Sequence, residues 1–354
     1  MSTKIIKNLG RTKPIRMWID GKCYNINQLK RKTSKNCRGN YTVSKTESLD
    51  IQIKDEIDIV TDDNGKVSVS FELPSPYYIK LGNFSDFNLK HLSEKTQTDI
   101  SYPSHGQDGK LVIRGESEVT VRQTVNELLS VIGAIKGQFA PLQFISIPVS
   151  NDEIRLNFEK FKTEILAEDG IQGMEESIFQ KALKLHLTVV VFTLLDGREK
   201  KVAVDALEEY RTNVPLLART GPLKIQVAGI NCMNDNHKKV DVLYANAKIL
   251  DKAEEADLQK IVNDLSAYFY DRGLVTRYEE NVKLHITLIN TKYRKVSDSP
   301  RRRWNKRISF DATKIMEKYK EFVFGECCMD SIHLSLMSST GEDGFYKPLS
   351  VIKL

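Results

Sequence analysis

The chain has 354 residues and a formal net charge of +6, from 53 basic and 47 acidic side chains, with 40% hydrophobic and 28% charged residues. Such a chain can build real cores in two or more domains and does not suit a uniformly basic coat protein. The start MSTKIIKNLGRTK lacks an apolar run long enough for a secretory signal, and no window approaches the roughly 18 uncharged apolar residues of a membrane helix, so an intracellular protein without a membrane partner is expected.

The first 45 residues hold 12 Lys/Arg against Asp20 alone. Around Asp20-Gly21 the stretch Ile15 to Ile26 reads as a small hairpin, and the rest of this tract reads as an arm. Between Glu47 and Asp63 the sign reverses, with seven acids against Lys54, which suggests a linker that could also fold back on the basic arm. From Lys66 regular periodicity begins. Val67, Val69 and Phe71 alternate as a strand, Pro74 to Leu81 suits a short helix, and Phe87, Leu89 and Leu92 have helical spacing in 86–96. Short strands at 100–102 and 111–113 follow, and then a long amphipathic helix over 117–136 with apolar Val119, Val121, Val125, Leu128, Leu129, Ile132 and Ile135. Strand, helix, helix, strand, strand, helix over about 70 residues resembles a KH domain of type I, which clamps nucleotides over a GxxG loop. In this chain the loop reads Gly82-Asn83-Phe84-Ser85, without the second glycine that lets a phosphate approach the backbone. Single-strand RNA binding and a packing or interaction role therefore both stay open for this module.

After Pro141 a strand over 144–149 and a helix capped by Asn151 or Asp152 begin a new pattern. Within it, Lys184-Leu185-His186-Leu187-Thr188-Val189-Val190 recurs 99 positions later as Lys283-Leu284-His285-Ile286-Thr287-Leu288-Ile289. Such self-similarity predicts a duplicated lobe, with helices over 199–212 and 251–272 and strands over 223–230 and 240–249 around the two copies. On a strand, alternation turns His186 with Thr188, and His285 with Thr287, to one face, and the apolar residues between them to the other. If a pseudo-twofold axis relates the lobes, both His-x-Thr pairs meet in one cleft. Two imidazoles, each with an ordinary pKa near 6.5, can there act as base and acid across a phosphate, while the threonine hydroxyls donate to phosphoryl oxygens. No HExxH or third ligand at metal spacing accompanies the histidines, so neither a metal nor another cofactor is expected. His333, in Ser331-Ile332-His333-Leu334-Ser335, is not repeated and reads as a structural residue of a further strand. Five cysteines without a CxxC pair argue against a disulfide framework.

The paired HxT motifs, with Ser177-Ile178-Phe179-Gln180, Ala228-Gly229-Ile230 and Val240-Asp241-Val242-Leu243-Tyr244-Ala245 around them, resemble the two-histidine (2H) phosphoesterase superfamily. The branch is the one that includes the nucleotide-binding domain of an A-kinase anchoring protein. The expected fold is therefore α+β, a KH domain followed by a two-lobed, pseudo-twofold 2H phosphoesterase domain, divided as residues 1–65 (basic segment and linker), 66–138 and 139–354. The resemblance implies catalytic roles for His186, Thr188, His285 and Thr287, and a nuclear subunit of a transcription coactivator complex that carries a helicase and takes part in repair of alkylated DNA. RNA or nucleotide would be its ligand. Superfamily members process 2′,3′-cyclic or 2′,5′-linked RNA phosphates, and a noncatalytic RNA-sensing or scaffold role is the alternative. From Lys292 to Arg307 eight Lys/Arg stand against Asp298, so Arg294, Lys295, Arg301, Arg302 and Arg303 could follow a nucleic-acid backbone and Trp304 stack on a base. A solvated insertion or a nuclear-import signal fits that composition as well.

Overall fold

A computed structural model of the chain describes residues 15–19, 22–26, 58–82, 87–104, 107–213, 223–249, 252–275, 279–295 and 307–354. It divides into two compact units, one formed by residues 1–140 with 193–202 and 269–278, the other by residues 141–192, 203–268 and 279–354.

In the first unit β1 (Ile15–Ile19) and β2 (Lys22–Ile26) pair antiparallel, as the hairpin reading expects. A four-stranded antiparallel sheet has the order β3-β4-β6-β5, from β3 (Val60–Thr61), β4 (Val67–Leu73), β5 (Thr98–Ser101) and β6 (Gly109–Gly115). Three helices accompany it, α1 (Ser75–Leu81), α2 (Leu89–Thr96) and α3 (Glu118–Lys136). The last starts where Ser117 accepts from the Thr120 amide, satisfying one of the free donors of the first turn. Val69, Phe71, Leu111 and Ile113 from the sheet and Val125, Leu128, Leu129 and Ile132 from α3 form the core. In the same unit the buried Lys136 ammonium sits 2.8 Å from the Glu199 carboxylate.

The second unit is organised around one eight-stranded sheet. In chain order come β7 (Gln143–Pro148), α4 (Asp152–Ala167), β8 (His186–Phe192), α5 (Gly197–Asn213, in this unit from residue 203), β9 (Leu223–Cys232), β10 (Val242–Ile249), α6 (Lys252–Asp271, in this unit to residue 268) and β11 (His285–Asn290). After them run α7 (Thr313–Tyr319), β12 (Val323–Met329), β13 (Ser331–Thr340) and β14 (Tyr346–Lys353). The sheet order is β12-β9-β10-β11-β8-β7-β13-β14. Residues 143 and 242 open β7 and β10, and residues 186 and 285 open β8 and β11, so both pairs keep the 99-residue offset of the sequence repeat. The duplicated piece is thus strand, helix, strand: β7-α4-β8 and β10-α6-β11. Its copies meet in the middle of the sheet, where β8 and β11 are antiparallel neighbours. The two lobes are therefore halves of one continuous sheet.

Helix α4 begins where Asn151 accepts from the Ile154 amide and lays Phe158 and Phe161 into the core. Its polar side chains close the outer edge of β12. Asn157 donates to the Phe324 carbonyl at 2.8 Å, Asn151 to the Glu326 carbonyl at 2.6 Å, and the Glu326 amide donates to Glu153 at 3.5 Å. An open strand edge would offer those same groups to another chain. Gly325 between them has φ +135, and a Cβ there would stand 2.7 Å from the Glu153 carboxyl carbon, so both backbone and space call for glycine.

Candidate two-histidine cleft

The pairing of β8 with β11 is carried by Leu187 opposite Ile286. Both side chains are buried on the apolar face. In an antiparallel ladder the residues one step either side of that pair oppose each other and share the other face, so His186 lies across from Thr287 and Thr188 across from His285. The two histidines are then diagonal neighbours, a relation that separates residues by about 7 to 8 Å and their Cβ atoms by somewhat less. A phosphate with hydrogen bonds of about 3 Å on each side fits between imidazoles so placed. The polar row continues across the sheet, because Asn246 opposes His285, Ser146 opposes Thr188, and His333 opposes Ser146. His333 bonds through Nε2 to Ser331 Oγ at 3.1 Å.

Each imidazole is held in the same way. His186 Nδ1 is 2.7 Å from the Lys184 carbonyl oxygen and His285 Nδ1 is 2.8 Å from that of Lys283. A carbonyl oxygen only accepts, so Nδ1 carries the proton in both neutral rings and Nε2 is left with its lone pair. His186 Nε2 lies 3.0 Å from Thr188 Oγ1, which donates to it in that tautomer.

The walls differ between the halves. Around His186 stand Phe144, Tyr346 and Phe345, at ring separations of 5.1, 5.3 and 6.2 Å. Against His285 stands Tyr244, at 5.7 Å and nearly edge-on. Burial pulls the His186 pKa down to about 4, the Lys184 carbonyl opposes that fall, and the charges of His285 and Lys184 add to it. His285 is also lowered, first by burial and then by the Lys283 charge, against the Lys283 carbonyl and Glu279, which raise it. The ring edges still reach solvent, so the aromatic walls desolvate the imidazoles without sealing them in. Both imidazoles are accordingly neutral bases at pH 7. Beyond His186, Gln180 donates to the Tyr293 hydroxyl at 3.1 Å and the Tyr346 hydroxyl at 3.4 Å, bracing the aromatic wall.

The structure brings His186, Thr188, His285 and Thr287 onto one face of the sheet. It does not bring Arg294 to it as a free cation: the guanidinium ion-pairs with Glu175 at 2.6 Å and donates to the carbonyls of Gly173 and Ile308. An arginine expected to follow a nucleic-acid backbone is instead spent on fastening its own segment. Lys295 is exposed. Arg301, Arg302, Arg303 and Trp304 lie outside the described residues, as do Asn83, Phe84 and Ser85, while Gly82 follows α1 in a right-handed helical conformation. The walls Phe144, Tyr244, Phe345 and Tyr346 went unread in the sequence, since only the fold brings them to the histidines. Lys184 and Lys283 were readable, because each stands two residues before its histidine in both copies of the repeat.

With this geometry in view, relatives can be compared. Residues 141–354 match the family described as the AKAP7 2'5' RNA ligase-like domain. Over 272 residues the chain is 29% identical to activating signal cointegrator 1 complex subunit 1 of Mus musculus, covering 73% of this chain and 75% of that protein. To A-kinase anchor protein 7 isoform gamma of Homo sapiens it is 25% identical over 211 residues, 59% of this chain and 56% of the other, so it spans little more than half of that relative. The crystal structure of E. coli LigT complexed with 3'-AMP is similar at 14% identity and a TM-score of 0.38, over 60% of this chain and 98% of that one. From Pro141 onward, with its duplicated strands and its two HxT pairs on one sheet face, the chain belongs to the AKAP7 2'5' RNA ligase-like family of 2H phosphoesterase folds.

Proposed function

We propose that the chain binds an RNA or nucleotide phosphoester between its two HxT strands and opens 2′,3′-cyclic or 2′,5′-linked phosphates by proton transfer between His186 and His285. The observation that carries this reading is the Leu187–Ile286 pairing, which faces each histidine with the threonine of the other copy, while each Nδ1 is engaged by a backbone carbonyl, so that Nε2 is the basic nitrogen of both rings, that of His186 accepting from the Thr188 hydroxyl until a ligand takes that bond over. In the reaction, the Nε2 lone pair of one histidine takes a proton from the attacking water as its oxygen bonds to phosphorus. The other histidine, protonated when the anion binds, gives its proton to the departing ribose oxygen, and the P–O bond breaks without leaving an alkoxide. Thr188 and Thr287 donate to the non-bridging oxygens.

The lowered pKa of both imidazoles favours one second reading, in which the cleft senses the ligand without turning it over, since burial leaves neither ring the proton a general acid needs. RNA ending in a 2′,3′-cyclic phosphate, incubated with the protein at neutral pH, separates the two. Turnover that is lost in His186→Ala and in His285→Ala supports the enzyme. Absence of turnover with retained binding supports the sensor, and absence of both refutes the cleft.

Similarity to activating signal cointegrator 1 complex subunit 1 supports a wider proposal. The chain would act in the nucleus as a subunit of that transcription coactivator complex, beside its helicase and other subunits, in the repair of alkylated DNA. Copurification of those subunits with the chain tests this, and a chain that purifies alone contradicts it. The order β4-α1-α2-β5-β6-α3, with β6 between β4 and β5, supports reading residues 66–138 as a type I KH domain.

A further inference from the structure

The two lysines that precede the HxT pairs share a geometry the motif does not explain. Lys184 Nζ lies 4.4 Å from the centre of the Tyr346 ring, and Lys283 Nζ lies 4.4 Å from the centre of the Tyr244 ring. Those are the rings that stand edge-on to His186 and His285. The same lysines give their carbonyls to the histidines, and each ammonium is close enough to depress its own histidine electrostatically. Each copy of the repeat therefore folds into one module, in which a lysine orients the imidazole through its backbone and holds its charge on the tyrosine beside it.

Neither ammonium has a carboxylate within ion-pair distance among the described residues. Lys283 is exposed and, besides the Tyr244 ring, approaches the Met233 sulfur at 3.8 Å, so solvent hydrates its charge. Lys184 is different. Only 9% of it is exposed, and its ammonium is partnered by the Thr340 hydroxyl at 2.7 Å and a tyrosine face. Burial lowers its pKa accordingly, with Lys181 adding to the fall. A buried cation is costly unless a negative charge compensates it, and lysine charges on ring faces are placed without being neutralised. An anion suits both ammonium groups, which belong to modules that flank the point where the repeat copies meet.

The structure assigns Lys184 and Lys283 as a pair of anion-selecting residues that clamp the phosphate of the bound ligand from its two sides, outside the HxT motif. This rests on the cleft reading above and sharpens it: the ligand class becomes nucleotides with a charged phosphate at the scissile position, and an uncharged nucleoside makes none of the paired contacts. Tyr346 and Tyr244 keep the two ammonium groups from swinging away, and Thr340 fixes Lys184.

The test measures binding of adenosine 2′,3′-cyclic monophosphate and of adenosine to the full chain by calorimetry. The variants are Lys184→Met, Lys283→Met, Lys184→Arg and the double variant His186→Asn/His285→Asn. A charge-assisted hydrogen bond contributes about 1.5 to 3 kcal/mol, so each methionine variant should bind the cyclic nucleotide about 10- to 100-fold more weakly. Adenosine binding should not change. Lys184→Arg should recover most of the loss, which separates charge from packing at that buried position. A second readout needs no ligand: in Lys283→Met the His285 NMR titration midpoint should rise, because the neighbouring cation that depresses it has gone. If both methionine variants bind like wild type while the double histidine variant does not, the lysine assignment is overturned and the cleft stands. If the wild-type chain binds no cyclic nucleotide, the cleft reading falls and the assignment with it.

Discussion

Acidification should weaken the fold and ligand binding should reverse part of that effect, and both follow from His186. In the folded chain its pKa is pulled down to about 4, against about 6.5 in an unfolded chain. A difference of about 2.5 units at 1.36 kcal/mol each gives roughly 3 kcal/mol as an upper bound. The unfolded chain binds more protons between those two values, so stability rises with pH there. The contribution is fully present above about pH 6.5, declines as pH falls towards 4, and changes no further below that. At pH 7 about one ring in a thousand is protonated, too few for a general acid. An anion beside the ring shifts a pKa by about 1 to 3 units, so a bound phosphate would bring His186 up to about 5 to 7 and draw in a proton. The groups around it that set the free value are His285, Lys184 and the rings of Phe144, Phe345 and Tyr346. Histidine Hε1 shifts followed by NMR from pH 3.5 to 8, with and without adenosine 2′,3′-cyclic monophosphate, read both values directly. Denaturant unfolding at pH 5 and 7 reads the linked stability. A midpoint for free His186 at or above 6, or one that the ligand does not move, would refute the reasoning.

Three other perturbations have expected outcomes. Thr188→Val removes the hydroxyl 3.0 Å from His186 Nε2 and should weaken cyclic nucleotide binding by about 10-fold, with an unfolding free energy within about 1.5 kcal/mol of wild type, read by calorimetry and urea melts. Lys136→Met leaves the buried Glu199 carboxylate without its 2.8 Å partner and should cost about 3 to 5 kcal/mol, whereas Lys136→Met/Glu199→Leu should recover much of it; denaturant titration checks both. Arg294→Ala frees Glu175 and two carbonyls, so thermal stability should fall modestly while affinity for a short RNA stays within about twofold of wild type, the loss of a half-exposed ion pair and two backbone contacts without a phosphate contact.

The sequence carried the symmetry of the second unit further than its layout. The 99-residue repeat already contained the strand alternation that sets His186 with Thr188 and His285 with Thr287, and local pattern placed α3, α4 and β7 to within a residue or two. Two things were not legible. Lobes and halves of a single sheet share one sequence signature, because β8 and β11 make their pairing through one central residue pair, Leu187 and Ile286, and pairing partners leave no local mark. The walls of the cleft were hidden for a related reason. Tyr346 is about 160 residues from His186 in the chain, and an exposed or buried tyrosine reads the same until the topology lays β13 and β14 beside β7. Arg294 shows the converse: a basic run marks its members as alike, yet one of them is consumed by an acid, Glu175, that sequence distance gave no reason to pair with it.

The sheet order has a consequence for how the second unit is made. The half holding His186 consists of β8, β7, β13 and β14, and its outer two strands come from residues 331–353. The half holding His285 is edged by β12, which α4 of the first copy closes. The strands at both ends of the sheet thus come from residues 323–353, outside either copy of the repeat. On the ribosome, β7, α4 and β8 emerge well before the strands that cover them. His186 then has Phe144 beside it but neither Phe345 nor the tyrosine that its lysine rests on until about 150 further residues have been translated.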